Sequence, residues 1–450
     1  PKTPKGICGA DADTMVARNL LRAVAAGSGC YIHIVENTAR NLRAMGESGA
    51  AFKGAKALER VAELFGITGA TPHEKAVKIA NAVLSDLYLP RDEKMKLTAK
   101  LAYAPRYAKW QELGLLPGGA KSEVFDGVVK SSTNLNSDPV NMLLNCLTLG
   151  ISTGLYGLTL TNLLNDIMLG EPVIRPAAVG FKTIDPRYIN IMITGHQHSC
   201  FTHLQDRLLD ADIVDRARQA GAEGFRLVGC TCVGQDLQLR GEHYKEVFTG
   251  HAGNNFTSEA ALATGAIDLV VSEFNCTLPG IEPIADTLKI KMICIDDVAK
   301  KANAAYEPYR FADREPVSEK IIASAVEAYK ARRDSVGINI PAEHGNDDTI
   351  TGISEVSLKD FLGGSWEPLV NLIASGDIKG VVGVVGCSSM VSGGHDVLTV
   401  DLVKELIKRD IIVLSAGCSS GGLENVGLMR PAAAALAGPS LRAVCEKLGI

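Results

Sequence analysis

Five residues able to bind a soft metal close five apolar runs of β-strand character. INIMITGH ends on His196, FRLVGCTC on Cys232, LVVSEFNC on Cys276, GVVGVVGC on Cys387 and IIVLSAGC on Cys418. Four thiolates and one imidazole suit iron, nickel or zinc rather than calcium or magnesium. Structural zinc usually takes paired ligands at short spacing, whereas these are far apart and come singly from separate strands. A larger cluster, whose several irons each need one protein ligand, fits that spacing. Glycine stands directly before His196, Cys387 and Cys418, and a backbone without a β-carbon lets a bulky inorganic group approach. Cys230 and Cys232 have one residue between them, so only one of the two is expected to reach the metal. A lone buried cysteine often acts as a small hydrophobe, and Cys30, Cys146, Cys294 and Cys445 are read that way; recurrence at strand ends sets the other residues apart.

Such residues converge only if the strands run parallel, because the carboxyl ends of parallel strands share the sheet edge at which ligands bind. Short β-branched runs alternate with helical stretches such as FTHLQDRLLDADIVDRARQAG after Pro186, which predicts Rossmann-like α/β units. Before that point apolar residues recur at i, i+3 and i+4, from ADTMVARNLLRAVAAG to the long segment beginning DPVNMLLNCL. Asp11 and the Thr71–Pro72 pair mark helix starts. The expected architecture is an α/β protein in three parts: a helical domain over 1–186, a Rossmann-like domain over 187–335 carrying His196, Cys232 and Cys276, and a second over 336–450 carrying Cys387 and Cys418. Both sheets are expected to be parallel, with the cluster at their carboxyl ends. The polar stretch around EHGNDDTITG reads as the connector, and the apolar segment after Asn141 as a buried central helix.

A chain of 450 residues with 46% hydrophobic and 22% charged content is ordinary for a globular protein of more than one domain. A net charge of −5, without a lysine and arginine run, argues against a nucleic-acid footprint. No apolar stretch reads as long enough to span a bilayer, and no secretion signal is evident. Eleven scattered cysteines suit reduced thiols and metal ligands in the cytoplasm better than a disulfide framework. His198, Cys200 and His203, just beyond His196, are candidates for metal contact or proton transfer. His243, His251, His344 and His395 have no spacing argument and read as surface or loop histidines.

GICGADADTMVARNLLRAVAAG, LVGCTCVGQD, FNCTLPG, VVGCSS, VKELIKRDIIVLSAGC and LRAVCEKLGI together resemble the nickel-dependent carbon monoxide dehydrogenases and their kin, the hybrid-cluster proteins. The resemblance covers nearly the whole chain. It implies an oxidoreductase that converts carbon monoxide and water reversibly to carbon dioxide, two electrons and two protons at a nickel–iron–sulfur cluster. It also implies that His196 and Cys232 hold the iron outside the cubane-like part, that Cys276, Cys387 and Cys418 anchor the other irons, and that Cys230 is not a ligand. Cys8 matches the last ligand of a [4Fe-4S] cluster whose other cysteines would precede Pro1, and a nickel-binding cysteine and a lysine would follow Ile450. The chain thus reads as cut at both ends.

Where the family carries a histidine ladder for proton transfer, this chain has GSGCYIHIVENTARNL, with Tyr31 at the first ladder position and His33 nearby. Tyr31, His33 and His198 are therefore the candidates for proton transfer or for support of a ligand. The family implies a small gaseous or inorganic substrate, a ferredoxin-like electron carrier and a homodimer. Two alternatives stay open: a nickel-free iron–sulfur–oxygen hybrid cluster that reduces hydroxylamine or a related nitrogen oxide, favoured by Tyr31 and GHQHSC, and a non-catalytic redox or gas sensor.

Overall fold

The computed structural model describes residues 4–133, 135–196, 198–240, 246–388 and 390–448, and the backbone but not the side chain of His198. The chain forms two compact units, Pro1–Gly170 and Glu171–Ile450.

The first unit is helical. Helix α1 (Ala12–Ser48) starts where the Asp11 carboxylate accepts the Thr14 N–H at 2.8 Å, and stops at Gly49, whose φ of 73° a β-carbon would disfavour. Leu21, Ala25, Ser28, Ile32, Val35, Ala39 and Leu42 form its buried stripe at helical spacing. Helix α2 (Pro72–Leu87) begins with Thr71 accepting the Glu74 N–H at 3.1 Å and proline in the first turn. Helix α3 (Pro139–Leu169) runs 31 residues, with a π-helical segment at Thr153–Leu160. That segment is held on one side by Tyr156, whose hydroxyl donates to buried Asp86 at 2.5 Å. On another it presses on α1, since a β-carbon at Gly157 would lie 2.6 Å from the Tyr31 Cβ.

Among the described residues α3 is the one helix long and apolar enough to cross a membrane by length and composition, and 44% of its most apolar window is buried within the protein. Two sequence expectations change here. The apolar run does reach spanning length, because the helix continues unbroken through the glycine-containing π-helical segment at Thr153–Leu160. Nor is it buried all round: Val140, Leu143, Leu144, Leu147 and Leu158 are exposed.

Among the described residues of the second unit, eight strands form the large sheet: β1 (Arg175–Gly180), β2 (Ile189–Thr194), β3 (Phe225–Cys230), β4 (Phe248–Gly253), β5 (Leu269–Ser272), β6 (Lys291–Cys294), β7 (Ala305–Tyr306) and β8 (Gly345–Thr351). Their order is β7-β6-β5-β2-β3-β4-β1-β8, parallel except for β8, which runs antiparallel to β1. Residues on the two faces alternate with the pleat. Ile189, Ile191 and Ile193 of β2 enter one core with Phe201 and Ile321, while Met192 enters the other with Val228 and Val270. Helices α4 (His198–Arg207), α5 (Thr231–Arg240) and α6 (Arg314–Arg332) follow β2, β3 and β7. A smaller parallel pair, β9 (Gly380–Val385) and β10 (Ile411–Ala416), is joined through α7 (Val397–Ile407) and followed by α8 (Cys418–Asn425).

The α/β class is the one the sequence indicated. Two strands at the far edge differ from the reading. RPAAVG forms β1 ahead of residue 186, and GNDDTIT, read as a connector, forms β8 and pairs with it. Proline, alanine and glycine in one and asparagine and aspartates in the other carry little β-propensity, so tertiary pairing decides both.

Candidate metal centre

The strand order places the switch point between β2 and β5. From β2 the chain moves outward through β3 and β4, then returns to the other side of β2 and runs outward through β5, β6 and β7. A crevice opens at the carboxyl ends of strands where the winding reverses. His196 follows β2, Cys232 lies in the first turn after β3, and Cys276 follows β5. Their ligand atoms lie within 4.8 Å of one another.

Backbone geometry aims these groups. Gly195 has φ 121°, and the backbone turns sharply there against Glu273. Thr231 adopts φ 58°, and its hydroxyl accepts the Gly195 N–H at 2.9 Å, tying the ends of β2 and β3 together. Asn275 and Cys276 are consecutive left-handed residues, at φ 61° and 54°. Such conformations cost on the order of 1–3 kcal/mol each for non-glycine residues and cluster at functional sites. The Asn275 side chain steadies the turn by accepting the Cys276 N–H at 2.8 Å.

The imidazole of His196 is oriented from behind. Its backbone N–H donates to the buried Glu273 carboxylate, and its Nδ1 lies 3.4 Å from the Phe274 carbonyl. An Nδ1–H donated there leaves Nε2, 3.8 Å from the Cys276 sulfur, on the ligand side. Burial opposes charge on His196, but the adjacent Cys232 thiolate and Glu273 outweigh it and raise the ring to about 9. Cys232 is held well below the usual thiol range, first by a hydrogen bond from Cys276 and, against burial, by His196. Cys276 is correspondingly raised, by Cys232 first and then by burial. Cys232 thus holds the negative charge of the group while His196 and Cys276 keep protons that a bound metal cation would displace.

The other two thiols come from the small sheet. Cys387 lies two residues beyond β9 and Cys418 opens α8, and both thiols are near enough to Cys276 to raise it further. Burial raises Cys418 to about 12 and raises Cys387 as well. Gly386 and Gly417 before them have φ 117° and 73°, and a β-carbon on Gly386 would meet no atom within 4 Å. Space for a large group lies on that side. The donor set, its convergence and this clearance fit an iron–sulfur cluster better than a single zinc ion.

Cys230 points away, into the core with Val228 and Met192, and burial pushes it up to about 12. Tyr31 and His33 lie in the middle of α1, where His33 Nε2 is 3.1 Å from Asn37 Nδ2. Cys8 is exposed just ahead of α1. Cys200 is buried in the core, His203 pairs with Glu315 at 3.3 Å, and the side chain of His198 lies outside the described residues. His251 corrects the sequence reading. It is a buried strand residue of β4 at 1% exposure, 2.9 Å from Glu424, which is 2% exposed. Glu273, Asn254 and Asp396 were missed. Glu273 stands three residues before Cys276 inside an apolar run, the only signal it offered.

Residues 2–445 match the model of the Prismane/CO dehydrogenase family. The carbon monoxide dehydrogenase of Methanocaldococcus jannaschii is 46% identical over all of this chain and 72% of its own length. That of Methanopyrus kandleri is 44% identical over all of this chain and 70% of its own. The crystal structure of the nickel-free carbon monoxide dehydrogenase from Thermococcus sp. AM4 superposes with a TM-score of 0.91 at 31% identity, covering 100% of this chain and 70% of that one.

Proposed function

The chain belongs to the Prismane/CO dehydrogenase family of oxidoreductases, and from that premise we propose that it catalyses the reversible conversion of carbon monoxide and water to carbon dioxide, two protons and two electrons. The observation that carries this reading is the convergence of His196, Cys232 and Cys276 at the switch point of the sheet, faced by the thiols of Cys387 and Cys418. When bound, a nickel–iron–sulfur cluster supplies a Lewis acid for carbon monoxide, a lowered pKa for the attacking water and a store for electrons.

The protein's own part is positional. Phe274 holds the His196 ring and Glu273 its backbone, the left-handed turn at Asn275 and Cys276 presents one thiol, and the left-handed glycines at 386 and 417 turn the chain ahead of Cys387 and Cys418. Tyr31, His33 and His198 are the proposed carriers of the released protons. Cys8, exposed ahead of α1, is proposed as a ligand of a [4Fe-4S] cluster that passes electrons to a ferredoxin-like carrier. All eleven cysteines are free thiols, which suits metal ligation in the cytoplasm.

The test is metal content together with turnover in anaerobically purified protein. Iron with near-stoichiometric nickel, and reduction of a viologen dye that depends on carbon monoxide, are the expected results. Abundant iron without nickel after expression with nickel supplied, and no such reduction, would overturn the proposal in favour of hydroxylamine-type reductions.

For assembly, α3 exposes Val140, Leu143, Leu144, Leu147 and Leu158 at helical spacing, with Gly150 open to solvent between them. We propose that a second copy packs on this stripe. Leu147→Asp places a charge in its centre and is expected to weaken dimerisation by about 100-fold or more. Light scattering coupled to gel filtration would then find monomers; unchanged dimers would place the interface elsewhere.

A further inference from the structure

The cluster reading requires two sheets to deliver their thiols in register, and one short segment of the large sheet touches both loops of the small one. Asn254, fully buried directly after β4, donates from Nδ2 to Asp396 Oδ2 at 3.0 Å and to the Cys418 carbonyl at 3.3 Å. Asp396 in turn reaches the other loop, its N–H donating to Ser388 Oγ, next to Cys387, at 3.0 Å. The carbonyl end of Asn254 is held by Thr257 Oγ1 at 3.0 Å, and His395 Nε2 lies 2.9 Å from both Asn254 Oδ1 and Asp396 Oδ2.

The packing leaves little slack. Asp396 adopts a left-handed backbone at φ 60°, and a β-carbon at Gly422 of α8 would lie 2.6 Å from its carboxylate carbon. At Gly421 a β-carbon would meet both Asn254 Cβ and His251 Cε1 at 3.1 Å. The buried His251–Glu424 pair pins the far end of α8 to the same strand. A side-chain amide suits this junction, because it can donate to a carboxylate and a carbonyl with one end and accept with the other.

We propose that Asn254 is a positioning residue that seats Cys418 and, through Asp396, the Cys387 loop against His196, Cys232 and Cys276. This rests on the cluster reading of the site. Hydrogen-bond partners of metal ligands are worth about 10- to 100-fold in metal affinity.

The test exploits the Asn254–Asp396 contact. Asn254→Asp sets two carboxylates against each other and removes the donor to Cys418, whereas Asn254→Asp with Asp396→Asn restores the donor–acceptor pair between the two side chains but not the donor to the Cys418 carbonyl. In metal-free full-length chain, the rate at which iodoacetamide labels Cys418, followed by mass spectrometry, is expected to rise at least tenfold in the single variant and to fall back in the double one. In anaerobically loaded protein, iron retained against a chelator and the visible and electron paramagnetic resonance spectra should follow the same order. Labelling and iron retention equal to wild type in Asn254→Asp overturns the inference, and a double variant no better than the single one overturns the part of it that runs through Asp396. Circular dichroism of both variants separates either result from global unfolding. Absence of iron from wild type would sink the cluster reading, while the labelling rates would still decide whether this segment seats Cys418.

Discussion

Replacing Cys276 by serine is expected to strip the proposed cluster and abolish the proposed carbon monoxide oxidation, while the apo fold persists. Cys276 lies at the centre of the donor set, 3.8 Å from His196 Nε2 and hydrogen-bonded to Cys232, with the Cys387 and Cys418 thiols near enough to raise it further. A hydroxyl is a poor ligand for iron bound among sulfurs. Loss of a direct ligand should exceed the roughly 10- to 100-fold loss in affinity seen when a mere hydrogen-bonding partner is removed. Iron analysis and the visible spectrum of the Cys276→Ser protein measure this directly. Cys445→Ser, in an amphipathic helix away from the site, should leave both unchanged. Full iron content in the Cys276 variant would exclude it from the ligand set.

That residue also shows what could be read from the chain alone. Cys276 was legible because an apolar run ends near it, and four comparable runs end in comparable residues. Parallel topology turns that linear regularity into convergence. The helical unit was legible from periodicity and from caps such as Asp11 and Thr71, whose side chains accept the N–H groups expected of them. What was not legible depends on partners distant in sequence. β8 is a strand because β1 lies beside it, not because GNDDTIT favours extension. His251 is buried because Glu424, 173 positions later, meets it. The left-handed turn at Asn275 and Cys276 has no glycine to announce it. Local propensity carries no information about such pairings.

Substituting Arg332 by methionine is expected to destabilise the α/β unit by about 3–5 kcal/mol near pH 8, the cost of leaving a buried charge without its partner. Arg332, the last residue of α6, is buried; its Nε donates to Asp268 Oδ1 at 2.7 Å and its Nη1 to the Gly265 carbonyl at 2.8 Å. The other Asp268 oxygen accepts the Asn190 N–H at 2.8 Å, so the pair joins α6 to the starts of β2 and β5. Burial raises Asp268 from 3.8 to about 6 even with the guanidinium beside it. Because the folded value lies above the unfolded one, the contribution of this group is full below about pH 4 and is lost as pH rises through 6. Removing Arg332 takes away the influence that holds the value down, so the carboxyl of the variant stays protonated to higher pH. The deficit of Arg332→Met against wild type should therefore shrink markedly at pH 5. Adding Asp268→Asn should recover part of it at pH 8, because a neutral amide needs no counter-ion. Denaturant midpoints of the three proteins at pH 5 and pH 8 measure both effects. A deficit that is the same at the two pH values would show that packing of the Arg332 side chain, and not its charge, holds α6 to the sheet.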